Sequence, residues 1–427
     1  MTILRNVNHN LSVKGSLLLL LLFLLPYFSN AQIAGCTDPQ SVNFNPNAVI
    51  NDGSCAYAIT IHNPPFAFEL PETVRETSGL LFINDKLWTF NDSGGTAELF
   101  AIDTASAQVV QTVSISNAFN IDWEGIALDD GYIYIGDFGN NAGVRKDLVI
   151  YRISKHGIPL TGNASLSAEK ISFSYPDQNT FERSRTHNFD CEAMITAGDN
   201  IFLFSKNRGD NKTKLYRLPK NPGVYVAELI ETFDSKGLVT GADINEDENE
   251  IILTGYTNKT YLPFIWLLFD FRDYDFFSGN KRRIDLVNLT TTQVEGVTYL
   301  NKDQAVISAE RSPTFSARVF HISLEQWTNR LSKSSNRKIS KSLELILAEK
   351  LVQNNTLRIK IDKKMKNLVW VNISDTEGKI LFSEAVNQEV NKEEDYFEVK
   401  TDNLQPGNYT VTAFTKRRHY STTFIQP

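Results

Sequence analysis

Between positions 58 and 328 the chain alternates short apolar runs with polar, Gly-rich turns, and the alternation itself repeats. Five runs each carry a small residue near their start, at Gly79, Gly125, Ala193, Ala242 and Gly296. Each is followed by a second run, Lys86–Asn91, Tyr132–Asp137, Ile201–Lys206, Glu250–Tyr256 and Gln304–Glu310, then in most copies by a polar loop, then by a third run. A fourth is visible in several copies, as at Gln108 and Lys170. Runs this short, with period-two patterning and turn residues between them, predict strands. Five copies of a four-strand unit at this spacing predict a β-propeller, one unit per blade.

The small anchors have a physical reason, since innermost strands crowd around a central channel where a side chain would not fit. Five blades are expected; the long second repeat leaves six open. The last copy has three strands only. Either Ala58–Ile61 or Phe66–Leu70 could supply the missing one and close the ring, which would leave no exposed sheet edge.

Beyond the linker-like stretch 329–344, rich in Ser, Lys and Arg, alternating runs resume with turns at Asp375–Lys379 and Leu404–Asn408. They predict a small C-terminal β-sandwich over 345–427. The fold class is therefore all-β, a propeller followed by a sandwich. Composition agrees: 41% hydrophobic and 22% charged residues fit globular domains, and a net charge of −7 gives a nucleic-acid partner no electrostatic support.

At the other end, Arg5 and Lys14 precede the apolar run Leu17–Leu25 and the small residues Ser29 and Ala31, the three-part pattern of a secretory signal over 1–31. The run is short for a membrane span. Ile33–Cys36 also fits a bacterial lipobox, although it lies far beyond the apolar run. For an exported chain, the neighbouring Cys36 and Cys55 are expected to pair, leaving Cys191 free and packed as a small apolar group. Gly35–Cys55, GCTDPQSVNFNPNAVINDGSC, resembles a small module common in secreted Bacteroidetes proteins, so 32–57 is read as a disulfide-closed unit. Its Asp38, Asn43, Asn45, Asn51 and Asp52 could hold Ca²⁺ or cap turns; turn-capping is the reading preferred.

In an antiparallel blade the start of strand one and the end of strand two share a face. One mouth of the channel should then collect Glu124, Asp190, Glu192 and Glu295 with Asn91, Asp92, Asp137, Asn140, Asn141, Lys206, Arg208, Tyr256, Glu310 and Arg311. Glutamates at equivalent blade positions cannot all ionise side by side unless a cation intervenes. A hard metal such as Ca²⁺, held by Glu124, Asp137 and Glu192, would answer this, as would pairing with Lys206, Arg208, Arg145 and Arg311. Alternatively each Glu bonds backbone N–H groups of the next blade. His187, in the polar insertion 176–188, reads as a solvated surface group. No nucleophile elbow, zinc spacing or phosphate loop is present.

DWEGIA at 122, IYIGDFGNNAGVRKDLVIYRI at 133, YPD at 175, DCEAM at 190 and LFSKN at 203 resemble uncharacterised secreted bacterial propellers, more distantly similar to phytase-like and esterase-like propellers. The resemblance implies a fold, with rim positions at Asp122, Glu124, Asp137, Asn141, Arg145, Asp190, Glu192 and Lys206, and no reaction. Asn140 stands where that pattern has Asp, and Cys191 where it has Ala. The C-terminal VNISDTEGKIL at 371, NLQPGNYTV at 403, the basic Lys416–His419 and the final FIQP resemble the type A sorting domain of the type IX secretion system. This implies passage through the periplasm to the cell surface or medium, with the type IX machinery as partner. The chain is thus read as a secreted or surface-held binding module with an acidic rim and an extracellular ligand (protein, glycan or phosphoester). The alternative is a metal-dependent extracellular hydrolase of phosphoesters or glycosides that uses the carboxylate ring.

Overall fold

The computed structural model describes residues 32–289, 292–328, 346–347, 352, 355–360, 370–376, 379–385, 396–414 and 419–427. The expected signal sequence 1–31, the linker-like stretch 329–344 and residues 415–418 of the basic segment lie outside them. Among the described residues there is no α-helix, and no helix long and apolar enough to cross a membrane.

Five antiparallel sheets form the propeller. Their innermost strands are Thr77–Ile83, Trp123–Leu128, Cys191–Ala197, Leu238–Asn245 and Val294–Tyr299. Each packs against the next, and the fifth packs against the first, so the ring closes at five blades. Both N-terminal candidates for closure are used, in different places. Phe66–Glu69 pairs antiparallel with Arg318–Ser323 and completes blade five. Thr60–Ile61 instead adds a parallel edge to blade four, on Asn280–Asp285. The same overlap recurs elsewhere: Ala164–Leu166 extends blade one and Gly223–Val226 extends blade two. Segments leading to the outer strand of one blade thereby tie the blade before it.

Each gap between blades holds its own apolar cluster. Trp123 with Phe90 and Tyr151 fills the first, and Leu70, Val74, Leu80 and Val319 fill the closing gap between blades five and one. The glycines on the innermost strands are needed at that density. A Cβ on Gly296 would come within 2.7 Å of Leu80, and one on Gly241 within 3.0 Å of the Glu295 carbonyl. Gly79, Gly125, Gly241, Leu80, Ile126 and Met194 line a small cavity between the innermost strands.

Cys36 and Cys55 form the expected disulfide. The module they close sits on the outer edge of blade four, where Asn51 bonds Asn280 and the Arg282 guanidinium lies over Tyr57. Its Asx side chains serve turns: Asp38 accepts from Gln40 N–H and Tyr57 O–H, Asn45 from Asn47 N–H, Asn51 from Gly53 N–H and Asp52 from Ser54 N–H. The C-terminal unit is a sandwich of a three-stranded and a four-stranded sheet around Leu357, Ile359, Ile373, Val411 and Phe424. Trp370, at its surface, stacks on His156 of blade two, 4.3 Å between ring centroids.

Candidate functional site

The mouth is built by a repeated irregularity in the backbone. In blades two to five the pairing of the two inner strands slips by one residue near the start of strand one, and the residue left unpaired is Glu124, Glu192, Thr240 or Glu295. A β-bulge of this kind re-aims one side chain and ends regular pairing. Three glutamates are thus turned to the channel by one device. The register also corrects the alignment of blade four. Gly241, and not Ala242, is equivalent to Gly125, Ala193 and Gly296, so Thr240 takes the glutamate's place. Ser78 takes it in blade one.

Where the position is a hydroxyl, it stitches the ring. Ser78 donates to the Glu124 carbonyl at 2.9 Å, and Thr240 donates to the Val294 carbonyl. The glutamates make no such link to a neighbouring N–H. Glu124 accepts only a long 3.5 Å bond from Ser78, and Glu192 accepts from Lys206. Glu192 and Glu295 each keep a buried Oε2 with no hydrogen-bond partner. The alternative in which each Glu bonds backbone N–H groups of the next blade is not seen among the described residues; the serine and threonine link neighbouring blades instead.

The cations are committed. Arg145 binds Asp137 at 2.8 Å and the Gly139 carbonyl at 3.0 Å; Lys206 bonds Glu192; Arg208 lies 3.4 Å from Asp190 and also bonds Asn141. Arg311, expected at the mouth, instead pairs with exposed Glu72 on the outer rim. Eight carboxylates (Asp92, Asp122, Glu124, Asp137, Asp190, Glu192, Glu295 and Glu310) therefore share three cations. Burial, then like charge, pushes the Asp92 carboxyl up to about 8 and that of Asp122 to about 6. Burial raises Glu192 to about 7 against the pull of Lys206, and burial first, then mutual repulsion, holds Glu124 well above its ordinary value. Burial likewise raises Glu295, although Lys206 pulls it down, and raises Glu310. The attraction of Glu192, Tyr256 and Glu295 outweighs burial at Lys206 and keeps its ammonium protonated.

The oxygens that converge are those of Asp92, Asp122 and Glu124, with one atom from each within 4.8 Å of the others. This differs from the expected trio, because Asp137 is occupied by Arg145 and the Asp122 N–H, and Glu192 by Lys206. Only Glu124 is common to both. Gly139 makes the convergence possible, since a Cβ there would stand 2.5 Å from Asp122 and 2.7 Å from Glu124. Hard, anionic oxygens from two blades suit Ca²⁺ or a similar divalent cation, with water or ligand completing the shell.

Asn140 shows why an amide serves where the resembling pattern has Asp. It donates to the Phe189 carbonyl and accepts from the Arg145 N–H, while its own N–H binds Asp190 at 2.7 Å. His187 is not simply solvated: its Nδ1 accepts from Phe189 N–H and its Nε2 faces the Asn141 carbonyl, so it ties the insertion to blade two. Cys191 is buried against the Phe204 carbonyl, and burial raises its thiol far above the usual range. Sequence reasoning gave Asp92 too little weight. It stands one position beyond the strand pair Thr77–Asn91, the place Lys206 and Glu310 hold in their blades, and that equivalence was available in the repeat. Tyr261, stacked on Tyr256, carried no repeat signal.

The class these observations define is a five-bladed β-propeller with an acid-lined mouth. The chain matches no known protein family and no curated protein by sequence. Among solved structures it is similar to an exo-β-1,3-galactanase of Phanerochaete chrysosporium (8% identity, 84% of this chain and 98% of that one, TM-score 0.40). A PQQ-bound aldose sugar dehydrogenase of Streptomyces coelicolor is also similar (11%, 61% and 99%, TM-score 0.36), as is a functionally unknown protein from Desulfotomaculum acetoxidans (16%, 58% and 68%, TM-score 0.29). Likeness at this level carries no argument about chemistry.

Proposed function

We propose that the chain is an extracellular binding module whose propeller mouth takes up a divalent cation, Ca²⁺ by the hardness of its donors, and presents it to a ligand. One observation carries this reading: Asp92, Asp122 and Glu124 converge from two blades while every cation at the mouth is engaged by other carboxylates. Such a group of acids, Glu124 buried and Asp92 and Asp122 half-buried, is costly unless protons or a metal neutralise it. The test is melting of the full chain at pH 8 in EDTA, then with Ca²⁺ or Mn²⁺. A cation-dependent rise that Asp122→Asn removes supports the reading; melting that ignores both cations overturns it.

A second reading, hydrolysis of a phosphoester or glycoside, draws on the spread of acidities. Asp122 near 6 and Asp92 near 8 could act as base and acid close to neutral pH. Turnover of any such substrate, lost in Asp92→Asn with melting retained, would favour it.

We further propose that residues 345–427 act as a sorting domain for the type IX machinery, with the signal sequence supplying entry to the periplasm. The landmarks in the sequence support this. In a cell that carries the system, the full chain should reach the medium or surface and a chain ending at 344 should stay in the periplasm. Equal export of both would end the proposal.

A further inference from the structure

The mouth has chemical preferences that narrow its ligand. Its buried Glu192 Oε2, Glu295 Oε2 and Asp92 Oδ1 have no hydrogen-bond partner among the described residues, and a ligand that carries donors would satisfy them. Glu192 and Glu295 are 2% and 4% exposed, so these donors must be small and reach deep. An anionic group would enter among excess carboxylates, where Arg145, Lys206 and Arg208 are already paired with acids. A lysine or arginine side chain of a partner would meet Lys206, which already bonds Glu192 and attracts Glu295. A neutral group rich in hydroxyls supplies such donors without adding charge of either sign.

A second, independent feature lies at the rim of blade four. Tyr261 stacks on Tyr256 with ring centroids 5.4 Å apart and planes 24° apart, and Tyr256 in turn lies 5.3 Å from the Lys206 ammonium. Tyr261 itself is 43% exposed, so one ring face is open beside the mouth. Its backbone is left-handed, φ 47°, a conformation usually left to Gly or Asn. The tight turn is closed by the Tyr261 N–H to the Thr257 carbonyl, with the Leu262 N–H on Thr257 Oγ1. A bulky residue held in that conformation and left exposed is a platform more than a core residue. Phe119, 73% exposed and three residues before Asp122, offers a second apolar surface beside blade two.

We infer that the ligand at this mouth is a neutral glycan, its hydroxyls donating to Glu295 and Glu192 and a sugar C–H face lying on Tyr261. This deepens the binding reading above and rests on it. A cation held by Asp92, Asp122 and Glu124 would add a site for paired hydroxyl oxygens, the same hard donors it already takes.

The test is calorimetry of the full chain with Ca²⁺ against soluble neutral polysaccharides (a β-1,3-glucan, a galactan, a xylan and a mannan). Inositol hexakisphosphate and a polylysine peptide serve as charged probes. The expected result is saturable binding to at least one polysaccharide, weakened tenfold or more by Glu295→Gln and by Tyr261→Asn. Asn accepts the left-handed backbone, so that variant removes the ring without straining the turn, and Tyr261→Phe should restore binding. Binding of the phosphate or the peptide alone, or of no polysaccharide, overturns the inference. So does glycan binding untouched by both variants. If the Ca²⁺-dependent melting shift persists while glycans fail, the cation reading survives and this one does not; if the shift is absent, the cation reading itself has failed.

Discussion

Replacing Glu295 by glutamine should make the metal-free protein more stable, against the usual outcome of changing a buried polar residue. Glu295 is 4% exposed, its Oε2 has no partner, and Glu192, Glu310 and Asp92 surround it with like charge. Lys206 offsets part of this but spends its hydrogen bond on Glu192. Glutamine keeps the shape, removes the charge and can donate to a neighbouring carboxylate. An unsatisfied buried acceptor costs about 1–3 kcal/mol, and relieving it should return an amount of that order. For a unit of this size, that raises melting by about 2–4 °C per kcal/mol.

The pH dependence gives the sharper check. The folded-state pKa of Glu295 is raised, so the penalty of its ionised form is present at pH 8 and relieved as pH falls through that value. The advantage of glutamine should therefore be largest at pH 8 and shrink by pH 5. Calorimetric melting of both proteins in EDTA at the two pH values measures it. A Gln variant that melts lower at pH 8, or a difference that grows on acidification, would show that the carboxylate is satisfied in the native state and that the argument is wrong. A gain in stability together with lost ligand binding is the expected mark of a residue kept for function at a structural cost.

Three further outcomes follow from the same geometry. Gly139→Ala should abolish the Ca²⁺ response and lower stability by about 1–3 kcal/mol, since its methyl group would collide with Asp122 and Glu124; titration and melting read the two effects separately. Arg145→Met leaves Asp137 buried and uncompensated and should cost about 3–5 kcal/mol in chemical denaturation, unlike removal of the exposed Arg311 partner of Glu72, which should cost less than about 1 kcal/mol. Reducing Cys36–Cys55 should destabilise the N-terminal module by about 3 kcal/mol, seen as faster proteolysis before Ala58, while the Ca²⁺-dependent shift of the propeller persists.

Much of the architecture was legible because propeller blades are local. Each blade is a run of neighbouring strands with turn residues between them, so alternation, turn chemistry and the five small anchors mark the strands without knowledge of anything distant. Closure by the N-terminal segment followed from counting strands, and the disulfide from the spacing of Cys36 and Cys55. The composition of the mouth was legible too, because carboxylates recur at equivalent positions of the repeat. What the sequence could not decide is which oxygens meet. That depends on a one-residue slip in strand pairing, which turns Glu124, Glu192 and Glu295 inward and put Thr240 where Gly241 was aligned. It depends also on which cation reaches which acid across blades: Arg145 takes Asp137, Lys206 takes Glu192, and Arg311 turns away to Glu72. Period-two patterning fixes which face a side chain occupies but not a bulge. The reach of a long charged side chain is settled only when residues far apart in the chain, such as Asp92 and Asp122, are brought to one mouth.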